Sequence, residues 1–85
     1  MNTNILYDIY KTTRDNGAAD LVIGLAMYKA EHPGIISDVE DRAIREFVGK
    51  HGKTLAVAFR KGKAAFQAVV EVLEAQDKEA QEARQ

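Results

Sequence analysis

Apolar residues recur along this chain at spacings of three and four. Nowhere do apolar and polar residues alternate over five or more positions, as a half-buried strand requires. Ala, Leu, Glu, Lys, Arg and Gln dominate the composition, and all are strong helix formers. The pattern therefore predicts an all-α fold, a small four-helix bundle with a long C-terminal helix. A first helix over about residues 4–15 carries Ile5, Leu6, Ile9, Tyr10 and Thr13 on one stripe, with Thr3 or Asn4 as its cap and Asn16-Gly17 as a left-handed stop. A second, over about 18–31, has Leu21, Val22, Leu25, Met27 and Tyr28 around most of its circumference, which predicts a place in the middle of the bundle.

His32-Pro33-Gly34 ends that helix, because proline disfavours helical backbone at the residue before it and glycine permits the turn. Ser37-Asp38-Val39-Glu40 then reads as a capping box, with the hydroxyl accepting from the Glu40 amide and the Glu40 carboxylate returning to the Ser37 amide. The third helix, about 38–50, buries Ile36, Val39, Ala43, Ile44, Phe47 and Val48, and the segment from Gly49 to Gly52 closes it. Thr54 caps a fourth helix whose seam is Leu55, Phe59, Gly62, Phe66, Val69 and Leu73. Running to about residue 82, that helix reaches roughly 42 Å, against about 30 Å for a domain of this length. The seam ends at Leu73, so residues 1–75 read as a single helical domain and 76–85 as a polar, frayed C-terminal tail.

Composition narrows the class. With 85 residues, 46% of them hydrophobic and 29% charged, the chain can build one core and is no disordered tail. Zero Cys excludes disulfides, thiolate metal sites and thiol nucleophiles, and it fits a reducing compartment. The longest apolar stretch, residues 21–28, is far short of a membrane span, so a cytoplasmic protein without membrane attachment is expected.

The net charge of -1 conceals an uneven layout: residues 1–41 hold 3 basic and 7 acidic groups, 42–63 hold 7 and 1, and 64–85 hold 2 and 5. On the third helix, i,i+4 pairing neutralises Arg42 with Asp38 or Glu46, Arg45 with Asp41, and Lys50 with Glu46. Lys53, Arg60, Lys61 and Lys63 have no acidic neighbour three or four positions away on the fourth helix and lie opposite its apolar seam. Either carboxylates of other helices meet these four, or they form a partner-binding basic patch, with an acidic protein surface as the favoured partner. A helix-turn-helix placement, with the turn at residues 49–53 and recognition from Thr54 onward, makes DNA or RNA the alternative. The first turn after Thr54 offers Leu55, Ala56, Val57 and Ala58, which cannot read base edges by hydrogen bonding. A second candidate surface, for a homo-oligomer or a partner helix, combines Ala58, Ala65 and Val72, repeating every seven residues, with Tyr7, the tyrosine expected to be exposed.

No catalytic constellation accompanies these surfaces. Gly52-Lys53-Thr54 lacks the earlier glycine of a phosphate-binding loop, since Phe47 stands in its place. His32 and His51 each fall at a predicted helix C-terminus, where imidazole caps carbonyls. Ser37, the sole serine, is committed to a cap, and Phe47, Phe59 and Phe66 read as core. No metal or cofactor is implied. The reading is a non-enzymatic helical protein-binding module, a small regulator or inhibitor of the viral or plasmid accessory type. A ligand-binding or enzymatic site formed only across an oligomer is a minor alternative.

Overall fold

A capping asparagine opens the first helix. In the computed structural model, which describes residues 2–83, Asn2 Oδ1 accepts from the amides of Asn4 at 3.0 Å and Ile5 at 3.4 Å. The cap of α1 (Thr3–Asp15) is thus Asn2 rather than Thr3 or Asn4. Its end is the predicted left-handed stop: Gly17 has φ 69°, its amide donates to Arg14 O at 3.1 Å, and the Ala18 amide donates to Thr13 O at 2.8 Å. That pair of bonds is a Schellman motif. The turn occupies the residues where a second helix was expected to begin, so α2 (Leu21–Glu31) starts behind Asp20, whose carboxylate accepts from the Val22 amide at 2.8 Å.

Between α3 (Asp38–Lys61) and α4 (Lys63–Ala83) stands one residue, Gly62. Its φ of 120° and ψ of 170° fall in a region that is essentially glycine's alone. Its amide donates to Phe59 O at 3.1 Å and its carbonyl accepts from Phe66 at 3.0 Å, so it closes one helix and opens the next. The sequence reading placed the break at residues 49–53 and carried the seam through Gly62; the reverse holds, and α3 is continuous across Gly49, Gly52 and Thr54. Burial explains it. Phe47, Leu55, Ala58 and Phe59 share one buried face spanning that segment, and the Tyr10 hydroxyl donates to Gly52 O at 3.2 Å from α1.

Phe59 faces Phe66, and Lys50 and His51 reach Asp77, so α3 and α4 form an antiparallel hairpin. α1 lies against that hairpin, and α1 and α3 each touch all three other helices, with Leu6, Ile9, Leu25, Leu55, Phe66 and Val70 fully buried between the elements. The centre is therefore shared by α1 and α3, and not taken by α2 as the sequence pattern predicts. α2 sits outside, with Val22 and Ile23 exposed and only Gly24, Leu25 and Tyr28 buried. It can approach α1 closely because residue 24 has no side chain: a Cβ there would clash with Thr13 Oγ1 and come within 2.9 Å of Thr13 Cβ. The Thr13 hydroxyl is held in place by its 2.7 Å bond to Ile9 O.

The capping box at Ser37 forms with one change, since the Glu40 carboxylate accepts from the Ser37 hydroxyl and not from its amide. Val39, expected in the core, is 80% exposed. Residues 76–83, expected as frayed tail, are helical in α4, and Asp77 ties them to α3; residues 84–85 of that tail lie outside the described residues. The extents of 40 × 29 × 19 Å describe a slab about two helices thick, its length set by α3. Among the described residues no helix is long and apolar enough to cross a membrane.

Candidate functional site

Lys53, Arg60, Lys61 and Lys63 are all exposed, and none has an ion-pair partner among the described residues. They do not form one face of one helix. At 100° per residue Lys53 and Arg60 nearly eclipse on α3, Lys61 lies about 80° to one side, and Lys63 follows the Gly62 break on α4. Lys63 Nζ lies 5.8 Å from the centroid of the Tyr7 ring, within reach of a cation–π contact. Between Lys53 and Lys61 on the helix surface sits Val57, 52% exposed, an apolar side chain ringed by cations.

The remaining charge on α3 is distributed differently from the i,i+4 scheme. Arg45 does pair with Asp41, at 3.1 Å. Lys50 ignores Glu46 and reaches across to Asp77 at 2.8 Å. His51, expected to cap a helix end, sits in mid-helix, where its Nε2 lies 3.0 Å from the other Asp77 oxygen and its ring meets Phe47 edge-on at 4.9 Å. A carboxylate only accepts, so Nε2 is the protonated nitrogen in that bond. The hydrogen bond from Lys50, followed by that from His51, holds the Asp77 carboxyl below the ordinary carboxylate range. His32 does cap as expected, with Nδ1 3.2 Å from Tyr28 O and its ring stacked on Tyr28.

A trough of about 860 Å³ runs along the side of α3, walled opposite by the end of α1 and the start of α2. Its middle carries the small residues Gly49, Gly52 and Ala56 beside a half-buried Val48; Arg45 and Arg60 stand at its two ends, and Lys53 lies along one edge. The far wall adds Arg14, whose guanidinium lies 5.2 Å from the Phe59 centroid. Asp20 is the one acidic residue among those lining it, and its carboxylate is taken up in capping α2. Tyr10, Phe59 and Thr13 form a buried floor, whereas most of the rim is exposed, so this is an open groove and not a closed cavity. Burial pushes the Tyr10 phenol well above its ordinary range, so it stays neutral and donates to Gly52 O throughout the physiological pH range.

The second candidate surface does not assemble. Ala58 is 3% exposed and belongs to the core, while Ala65 and Val72 lie on α4, so the break at Gly62 destroys the seven-residue repeat. Ala65 is half-buried and Val72 is 55% exposed. Tyr7 is half-buried, packed on Phe59 at 4.9 Å and Phe66 at 5.5 Å between centroids. Sequence reasoning passed over Arg14, Gly49, Gly52 and Ala56 as site residues. The available signal was the pair of glycines three apart followed by alanine, which resembles a helix stop as closely as it resembles a groove floor.

Among the described residues no group of three or more His, Asp or Glu could hold a metal ion. No protein-family model, curated protein or solved structure matches the chain.

Proposed function

We propose that this chain is a non-enzymatic protein-binding module, a small regulator or inhibitor that meets an acidic protein surface through the cations of α3 and the start of α4. One observation carries the reading: Lys53, Arg60, Lys61 and Lys63 stand exposed with no ion-pair partner among the described residues. Isolated surface cations are ordinary. These surround apolar surface, Val57 on one side and the trough wall on the other, which matches the apolar core and charged rim of protein interfaces. The Ser37 hydroxyl is engaged in a helix cap, His32 meets Tyr28 O, and His51 meets Asp77.

The helix-turn-helix placement required a turn at residues 49–53, and α3 has helix there. Nucleic acid therefore enters as an outcome of the test. A fluorescein-labelled Glu-rich peptide and a labelled short DNA duplex are titrated at low salt and followed by anisotropy. The proposal predicts peptide binding that weakens with salt and is lost when Lys53, Arg60, Lys61 and Lys63 are all changed to Glu. Binding of the duplex alone moves the function to nucleic acid, with a salt slope that counts the phosphates engaged.

A further inference from the structure

The trough beside α3 has a shape that the fold does not need. Glycine inside a helix costs about 1 kcal/mol relative to alanine, and α3 carries two, Gly49 and Gly52, on the wall of one groove. Neither is required by the molecule's own packing. A Cβ at either position would meet nothing within 4 Å, and neither has positive φ. Gly24 shows what an internally required glycine looks like here, with Thr13 filling the space of its side chain. The two α3 glycines instead keep open a groove that no part of the described chain enters.

We infer that the groove seats an amphipathic helix of a partner protein, apolar along one stripe and acidic along its flanks. This rests on the protein-binding reading and names the partner's chemistry. Charge complementarity sets the sign: Arg14, Arg45, Lys53 and Arg60 rim the groove against the single carboxylate of Asp20. Lys53 and Arg60 have no ion-pair partner among the described residues, whereas Arg45 is held by Asp41 and Arg14 contacts Asp15 at 3.5 Å.

Dimensions and backbone chemistry select a helix. From Arg45 to Arg60 the wall runs about 22 Å, the length of roughly four helical turns. Small residues along its middle let a second helix axis come near the short end of the usual 8–10 Å, roughly, between packed helices. An extended peptide would gain little, because strand addition needs a sheet edge and the described chain is helical with no strands. A proline-rich segment would need exposed aromatics, and Tyr10 and Phe59 are buried. A drug-sized ligand would remain largely wet in a groove whose rim is exposed.

The test uses the full chain and a helix-stabilised peptide of about four turns, with Leu and Ala on one stripe and Glu on both flanks. The comparison is a Glu-rich peptide of equal charge and no apolar stripe. The amphipathic peptide is predicted to bind more tightly, and Gly49→Leu or Ala56→Leu to weaken it about tenfold or more while circular dichroism stays helical. Lys61→Glu, outside the groove, is predicted to slow association without changing the preference between the two peptides. Equal affinity for the two peptides, unchanged by Gly49→Leu but lowered by Lys61→Glu, overturns the groove and leaves the cationic-surface reading standing. No binding of either peptide overturns both. A wild-type dimer that Gly49→Leu converts to monomer also overturns it, because the occupant would then be a second copy.

Discussion

Three glycines in this chain look alike in sequence and do three different things. Gly17 ends a helix, and its role is visible from Asn16-Gly17 because the left-handed stop is a local structure. Gly24 is invisible to local reasoning: its importance comes from Thr13 on another helix, whose hydroxyl occupies the position of a side chain. Gly24→Ala forces Thr13 off Ile9 O or pushes α2 outward, an overpacking cost of about 1–3 kcal/mol, partly offset by about 1 kcal/mol of helix propensity. The two effects together leave a net loss of up to about 2 kcal/mol, read as a melting temperature lowered by about 4–8 °C per kcal/mol for a domain this small; a raised melting temperature, the result of the propensity gain alone, contradicts the close approach. Gly49→Ala is predicted to go the other way. With open space around its Cβ and helical backbone, it gains about 1 kcal/mol of propensity, and thermal denaturation shows the gain as a higher midpoint.

At the level of helices, number and type were legible, and the third boundary was not. Gly49, Gly52 and Thr54 combine a stop signal with a start signal, yet the buried face through Phe47, Leu55 and Phe59 and the cross-links from Tyr10 and Asp77 outweigh them. The actual break at Gly62 hid inside a heptad-like seam, since a glycine facing a partner helix and a glycine at φ 120° have the same letter. Gly62→Ala is predicted to cost about 1–3 kcal/mol through backbone strain, read as a fall in the urea midpoint with the helical spectrum retained. The far end of the hairpin depends on Asp77, whose carboxyl is held low by Lys50 and His51. A depressed carboxyl contributes stability above its unfolded value of about 3.9 and loses it as pH falls through the lower folded value. The urea midpoint of wild type should therefore exceed that of Asp77→Asn near pH 7, and the gap should close at about pH 3 or below. A gap independent of pH contradicts the ion-pair role.

Across the whole molecule, the slab is too thin to enclose every apolar face. Val22, Ile23, Val39 and Val57 stay exposed, although the sequence pattern places Val22 and Val39 on apolar stripes, and α2 lies outside because α1 and α3 are the helices that meet all the others. Sequence could identify the cationic segment, since it depends only on counting charges. It could not show that Lys53 and Arg60 line a groove with Arg14, while Lys61 and Lys63 flank the hairpin turn, because that division depends on α1 crossing α3. The most direct measurement of the account is an amide chemical-shift map of the isotope-labelled protein with the acidic amphipathic peptide. The predicted shifts cluster at Arg14, Ala19, Gly49, Gly52, Ala56 and Arg60, along one groove. Shifts centred on Ile23 and Ala26 of α2, or on Ile35 and Val39, would contradict it.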